Sequence, residues 1–500
     1  MTVISEDDLR QSIADALQFI SYYHPPDFIR HLVAAHAREE NPPAKAAMAQ
    51  ILRNSRMAAL GHRPICQDTG VANVFLKVGM GVRINSPRAL QDIVDDAVRV
   101  GYAADENPLR ASMVHDPIFN RRNTGDNAPA ILHVRLVAGD RIDVDVSAKG
   151  GGSENKAKFT VLDPGENVAD WVVRTVETLG AGWCPPGILG IGAGGGAETA
   201  MILAKEALNE PLDMADLLAR GPATKAEEMR IEIYERVNAL GIGAQGLGGL
   251  QSVLDVKLKT FPAHAASLPV ALIPNCAATR HVHFSLDGSG PAQFTPPDLT
   301  DWPDLADDPA AILRRVDLDD LSADSVRDWK VGETLLLSGK LYTGRDAAHR
   351  RMAEMIAKGE PLPVALRDKA IYYVGPVDAV GDEVIGPAGP TTSTRMDRYL
   401  STVLPATGLR VMIGKAERGP AAIETIRQAG AVYLIAVGGA AYLVAQSIRA
   451  ARVVAWPDLG MEAIHEFEVR DMPVMVAVDT TGASVHSTGP ALWRGKFRLP

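Results

Sequence analysis

The sequence predicts a mixed α/β protein of two domains, and three observations predict it. At 500 residues the chain is longer than one hydrophobic core usually organises. Apolar residues at helical spacing alternate with short apolar runs bounded by turn residues. From about Asp287 to Lys330 that rhythm breaks into a Pro- and Asp-rich stretch with few large apolar residues. Domains over 1–300 and 325–500, joined by a linker over 301–324, are therefore expected.

Glu6 to about Ser55 reads as helices, with Leu9, Ile13, Ala16, Leu17 and Ile20 on one face. Val71 to Val78 reads as a strand. Ile131 to Val137 and Arg141 to Val146 read as a hairpin across Ala138-Gly139-Asp140. A glycine-rich turn follows at Lys149 to Ser153, then an amphipathic helix from Val168 to Leu179. Gly190 to Gly196 and Gly241 to Gly249 are glycine-rich segments. Inside the linker a short helix is expected around Pro309 to Arg315. Beyond it, strands are expected at Leu335–Leu337, Ala370–Val374, Gly408–Gly414 and Ala431–Val437, with a helix over Ala347–Lys358.

Composition narrows the function. Hydrophobic residues make up 46% and charged residues 22%, as in a soluble globular protein. The net charge of −10, with no Lys/Arg run, argues against nucleic acid as a partner. An anionic substrate would need a few placed cations. The uncharged stretch Gln428 to Ile448 is interrupted by Gly438-Gly439, so a buried strand, a turn and a helix start are expected, with no membrane span. Glu6, Asp7 and Asp8 are unlike a signal peptide. The odd number of cysteines, three, argues against a disulfide framework and for a cytoplasmic protein.

Those cysteines carry the strongest chemical signal. Cys66, Cys184 and Cys276 are far apart in sequence, and each sits in a loop-like, Pro- or Gly-flanked setting. Structural cysteines usually lie inside apolar elements. Three thiolates are what a [4Fe–4S] cluster with an open fourth iron needs, and that iron acts as a Lewis acid. His281 and His283 flank Val282 and, with Cys276, also suggest zinc. Support for the cysteine loop explains them better. Gly190–Gly195 and Gly241–Gly246 match GxGxxG literally, but neither has a strand before it, so dinucleotide binding is not expected. Arg395 stands out among the arginines because it lies in a polar loop bounded by Gly and Pro.

The chain resembles the class I, iron–sulfur-dependent fumarate hydratases. The resemblance rests on PICQDTG (64–70), AKGGGSENK (148–156), CPPGILGIGAGGGAE (184–198), IPNCAATRHVHF (273–284), GRDAAH (344–349), GPTTSTRMD (389–397), IGKAERG (413–419) and AVGGAA (436–441). It implies an N-terminal cluster-binding domain and a C-terminal swivelling β/β/α domain. It implies a [4Fe–4S] cluster on Cys66, Cys184 and Cys276, and a small dicarboxylate as substrate. Arg110, Arg345, Arg395 and Lys415 are implied to hold substrate carboxylates, together with the backbone N–H groups of Gly150, Gly151 and Gly152. Gln67 and His264 are implied to contact substrate. Asp68 is placed beside the cluster, and Thr391 resembles the family's catalytic base, which needs a proton acceptor such as Asp68. The expected reaction is (S)-malate to fumarate and water, reversibly, in a homodimer. Mesaconate hydratase and L-tartrate dehydratase are alternatives of the same class. A non-catalytic metal-binding sensor is the alternative of a different class.

Overall fold

The computed structural model describes residues 1–305 and 314–499. Three helices open it: Glu6–Tyr22, Pro26–Arg38 and Pro42–Gly61. Ser5 caps the first by accepting from Asp8 N at 3.0 Å, and Glu6, Asp7 and Asp8 occupy its positive N-terminal turn. Its buried stripe of Leu9, Ile13, Leu17 and Ile20 is the face the periodicity marks. The next two helices each begin with proline, which needs no N–H there.

A four-stranded sheet follows, in the order His281–Leu286, Ile142–Lys149, Val71–Gly79 and Ile131–Val137. This corrects the expected hairpin. Ile131–Val137 and Ile142–Lys149 do not pair with each other, because Val71–Gly79 lies between them, parallel to the first and antiparallel to the second. The short connection loops around the end of Val71–Gly79. Met80 N there donates to Val137 O at 2.8 Å, and Gly81 N to Gly139 O at 2.8 Å.

A second four-stranded sheet has the order Val253–Ala263, Gly187–Gly195, Leu268–Asn275 and Lys158–Leu162. The run Gly190–Gly195 is therefore an interior strand and not a loop. Helix Ala197–Ala207 lies directly on it. A Cβ on Gly190 or Gly192 would overlap the Ala204 or Ala200 carbonyl, so these glycines admit a helix and not a phosphate. The other run surrounds a short 3-10 turn, Ala244–Gly246.

The remainder builds one seven-stranded sheet. Strands Thr334–Thr343, Ala370–Tyr372, Val411–Gly414 and Val432–Ile435 run parallel, and the long strand Ile464–Val478 pairs antiparallel with both the first and the last of them. Those five strands thus close on themselves. Leu335, Leu337, Tyr372, Val411, Ile413, Val432, Leu434 and Val476 fill the inside. The alternate residues Ile371, Tyr373, Met412 and Tyr433 face outward. They pack against Met352, Leu400, Leu404 and Ile426 of helices Asp346–Ala357, Asp397–Thr407 and Pro420–Ala429. The same outer core includes Phe28, Leu32, Met48 and Ile51 from the opening helices, so the two halves share apolar packing.

Four expectations shift at their edges. Gly408 caps helix Asp397–Thr407 in the left-handed region, and the strand after it begins only at Val411. Lys149 ends a strand, and Gly151–Glu154 is a single helical turn. Most of the helix expected at 309–315 lies outside the described residues, while Arg314–Asp317 is an edge strand. The stretch 428–448 holds strand Val432–Ile435 and helix Ala441–Ala445. Among the described residues no helix is long and apolar enough to cross a membrane.

Candidate active site

Three chain segments bring the cysteines together. Cys66 lies between helix Pro42–Gly61 and strand Val71–Gly79. Cys184 precedes strand Gly187–Gly195, and Cys276 directly follows its antiparallel neighbour Leu268–Asn275, with Asn275 opposite Ile188. Cys184 and Cys276 therefore reach the same end of one sheet, where Cys184 O accepts from Ala277 N at 3.0 Å. All three are free thiols. Gly438 of the C-terminal half packs against Cys184, and a Cβ there would stand 2.5 Å from Sγ.

Lys415 reaches into this group of thiols. Burial pushes the Cys184 thiol up to about 11 and raises that of Cys66, and the Lys415 ammonium opposes both shifts. Burial would lower the Lys415 pKa in turn, but Cys184, Cys66 and Cys276 together raise it. Thr391 is buried beside it. Its N–H donates to Tyr373 O at 2.7 Å, and its carbonyl accepts from Lys415 N at 3.1 Å. Gln67 bridges the halves: Nε2 donates to Pro390 O at 3.1 Å, and Oε1 accepts from the Cys66 thiol at 3.3 Å.

Asp68 Oδ2 accepts from Gly151 N at 2.8 Å, and Oδ1 faces Arg110 at 3.8 Å. Burial alone would raise its pKa, but Arg110, Arg280 and Lys415 outweigh that and hold the carboxyl below its usual value. Arg110 donates to Gly375 O at 2.7 Å, and burial pushes its pKa down to about 10, which leaves it charged at neutral pH. Gly375 also abuts Arg345, which pairs with Glu462 at 3.2 Å. Arg395 pairs with Asp346 at 3.3 Å and interacts with Arg345. The thiols of this region come from the N-terminal half and most of its cations from the C-terminal half.

Two family models match the chain: fumarate hydratase (Fumerase) over residues 10–285, and fumarase C-terminus over 288–489. The chain is 32% identical to the anaerobic class I fumarate hydratase of Escherichia coli over 468 residues, covering 89% of this chain and 83% of that one. The chain belongs to the class I fumarate hydratase family. The aerobic class I fumarate hydratase of the same organism is 31% identical, covering 95% of this chain and 88% of that one. A Methanocaldococcus jannaschii protein described as the alpha subunit of an L(+)-tartrate dehydratase is 34% identical over 275 residues, which cover 54% of this chain and 94% of that one. Membership of the fumarate hydratase family makes this chain a hydro-lyase.

The structure places the other expected residues of this fumarate hydratase chain in varied settings. The Gly151 N–H already serves Asp68 and is not free for a substrate carboxylate. Gly150 and Gly152 instead leave room: a Cβ on Gly150 would stand 3.1 Å from Asp68 Oδ2, and one on Gly152 3.4 Å from Lys415 Nζ. Among the described residues no hydrogen bond joins Thr391 to Asp68. Arg395 sits on a 3-10 turn, Ser393–Met396, and not on an open loop. His264 is exposed in the turn after Val253–Ala263, where Ala263 pairs with Gly195, at the far end of the sheet from Cys184. His281 and His283 line a separate cavity of about 580 Å³ with Asp27, and His283 pairs with Asp145 at 3.0 Å. Among the described residues no three His, Cys, Asp or Glu side chains gather as ligands of one metal ion.

The structure also adds residues that the sequence reading passed over. Asp346 and Glu462 orient the two outer arginines. Gln245 fastens the Gly438 turn, accepting from Gly438 N at 2.9 Å. Arg280 is buried beside Asp68.

Proposed function

We propose that the chain interconverts (S)-malate and fumarate plus water, with a [4Fe–4S] cluster held by Cys66, Cys184 and Cys276. One observation carries this reading: three free thiols, none near a fourth, meet a set of cations drawn from both halves of the chain. Thiols that feel one another's charge without closing on a single point suit a multi-iron group better than one ion. The donor set is all sulfur, as such a group requires. When bound, it supplies an iron open to a substrate hydroxyl and carboxylate, acting as a Lewis acid.

The chain's own residues do the rest. Arg110, Arg345, Arg395 and Lys415 hold the two carboxylates, and the arginine forks fix their planes. Asp346 and Glu462 keep Arg395 and Arg345 aimed inward. Gln67 fixes the Cys66 thiol side of the cleft. Asp68, kept ionised by its cations, orients the hydroxyl that leaves or arrives. Thr391 removes the substrate proton in the cleft and requires a neighbour to relay it. Closure of the C-terminal half over the thiols excludes water from these charges. Domains of 1–300 and 325–500 about a 301–324 linker, a cytoplasmic location and a homodimer complete the proposal.

The relative described as a tartrate dehydratase subunit supports L-tartrate as the second reading, and mesaconate differs from fumarate by only one methyl group. Steady-state kinetics on malate, L-tartrate and mesaconate, side by side after oxygen-free purification, decides among them. Iron and acid-labile sulfide are measured on the same sample. Stoichiometric zinc without sulfide, or no turnover of any dicarboxylate, would overturn the proposal.

A further inference from the structure

Arg280 stands four residues after Cys276, just before strand His281–Leu286. It is 2% exposed. Its backbone carbonyl is fixed by Ala148 N at 3.1 Å. Its side chain turns toward Asp68: the place a Cβ on Gly150 would occupy is 3.1 Å from Asp68 Oδ2 and 3.7 Å from Arg280 Nη2. Yet Asp68 gives its oxygens to Gly151 N and Arg110. Arg280 forms no ion pair with any carboxylate among the described residues. Its Nε and Nη1 are buried there without a hydrogen-bond partner.

A guanidinium stripped of water and left with two unpartnered N–H donors is strongly unfavourable, so such a group has an anionic partner. Among the described residues no carboxylate accepts a hydrogen bond from it, although the charge of Asp68 is close by. Arg280 follows Cys276 by four residues, and Asp68, whose carboxylate lies on the same side of Gly150, follows Cys66 by two.

We propose that Arg280 donates from Nε and Nη1 to the anionic group that Cys66, Cys184 and Cys276 hold, and so retains that group without gripping substrate. This inference rests on the iron–sulfur reading above. It gives the arginine opposite effects in the two forms of the protein. With the group bound, Arg280 stabilises it. With the group removed, Arg280 is an unpaired buried charge that weakens the fold.

The test compares wild type with Arg280→Gln and Arg280→Lys, purified without oxygen, in the loaded form and after removal of iron and sulfide. In loaded Arg280→Gln, iron and sulfide are expected to be lost roughly 10- to 100-fold faster on exposure to chelator, with Arg280→Lys intermediate. The stripped Arg280→Gln protein is expected to melt at or above the stripped wild type. Equal lowering of the melting temperature in both forms would mean a plain structural arginine and overturn the proposal. Unchanged iron retention with a raised KM would make Arg280 a substrate residue, and would overturn it too. Wild type lacking sulfide altogether is a different failure, one that removes the iron–sulfur reading itself.

Discussion

Arg63 grips Glu383 with both sides of its guanidinium, Nε to Oε1 at 2.9 Å and Nη2 to Oε2 at 3.0 Å. Arg63 stands three residues before Cys66, and Glu383 belongs to the C-terminal half. Asn107 Oδ1 and Asp378 O take the other donors of Arg63, at 2.9 and 2.8 Å. The side chains are only 3% and 15% exposed. Glu383→Ala leaves a buried guanidinium short of its anion, so a loss of about 3–5 kcal/mol is expected from denaturant titration. A loss below 1 kcal/mol would mean that water reaches the pair freely.

Gly389 leaves the space that Gln67 fills. A Cβ there would overlap Gln67 Oε1 and stand 2.9 Å from the Ala441 Cβ. Gly389→Ala should displace Gln67 from Pro390 and the Cys66 thiol. A fall of roughly 100-fold in kcat/KM is expected, as for a reacting group misplaced by about 1 Å. Wild-type kinetics would remove Gln67 from the working geometry.

Arg395→Lys keeps the charge but loses the planar fork. Hydrogen bonds to charged groups are worth about 1.5–3 kcal/mol, so kcat/KM should fall roughly 10- to 150-fold. Arg10→Lys, on the first helix, is the control, since its pairing with Asp7 is exposed. Indistinguishable kinetics for the two variants would exclude Arg395 from carboxylate binding.

His349 makes the fold sensitive to acid. It is buried against Tyr373, donates from Nδ1 to Arg345 O at 3.0 Å, and has its pKa pushed down to about 4 by burial. Its ordinary value is 6.5. Between those values the unfolded chain binds a proton that the folded chain refuses, so stability falls as pH falls from 6.5 toward 4. The full contribution is on the order of 3 kcal/mol. His349→Asn should lose less stability than wild type across that window when unfolding is followed at several pH values. Parallel curves would show that His349 protonates without unfolding the site.

What the sequence reveals follows the range of the interactions. Helices over the first 61 residues are legible because their apolar stripe and their caps are local. The cysteines are legible because Pro and Gly beside them mark loops. The pairing of Ile131–Val137 is not, since its true neighbour lies more than fifty residues earlier and a three-residue connection looks like a turn. The strand at Gly187–Gly195 hides because its glycines answer to a helix packed on them, and glycine carries no strand signature. Arg280 hides because an arginine's burial is a tertiary fact. Its signal was its place four residues after Cys276, within a run of small and apolar residues. Asp346 and Glu462 acquire their roles only when the chain closes on itself.

The cysteines all precede Lys415 in the chain, which stands 139 positions after Cys276. At ribosomal rates of roughly 5–20 residues per second, Lys415 emerges about 7–28 s after the last thiol. During that interval the thiol-bearing half exists without the half that covers it. Translation therefore opens a timed window in which the three sulfurs face solvent, accessible to whatever loads them and to oxidants alike.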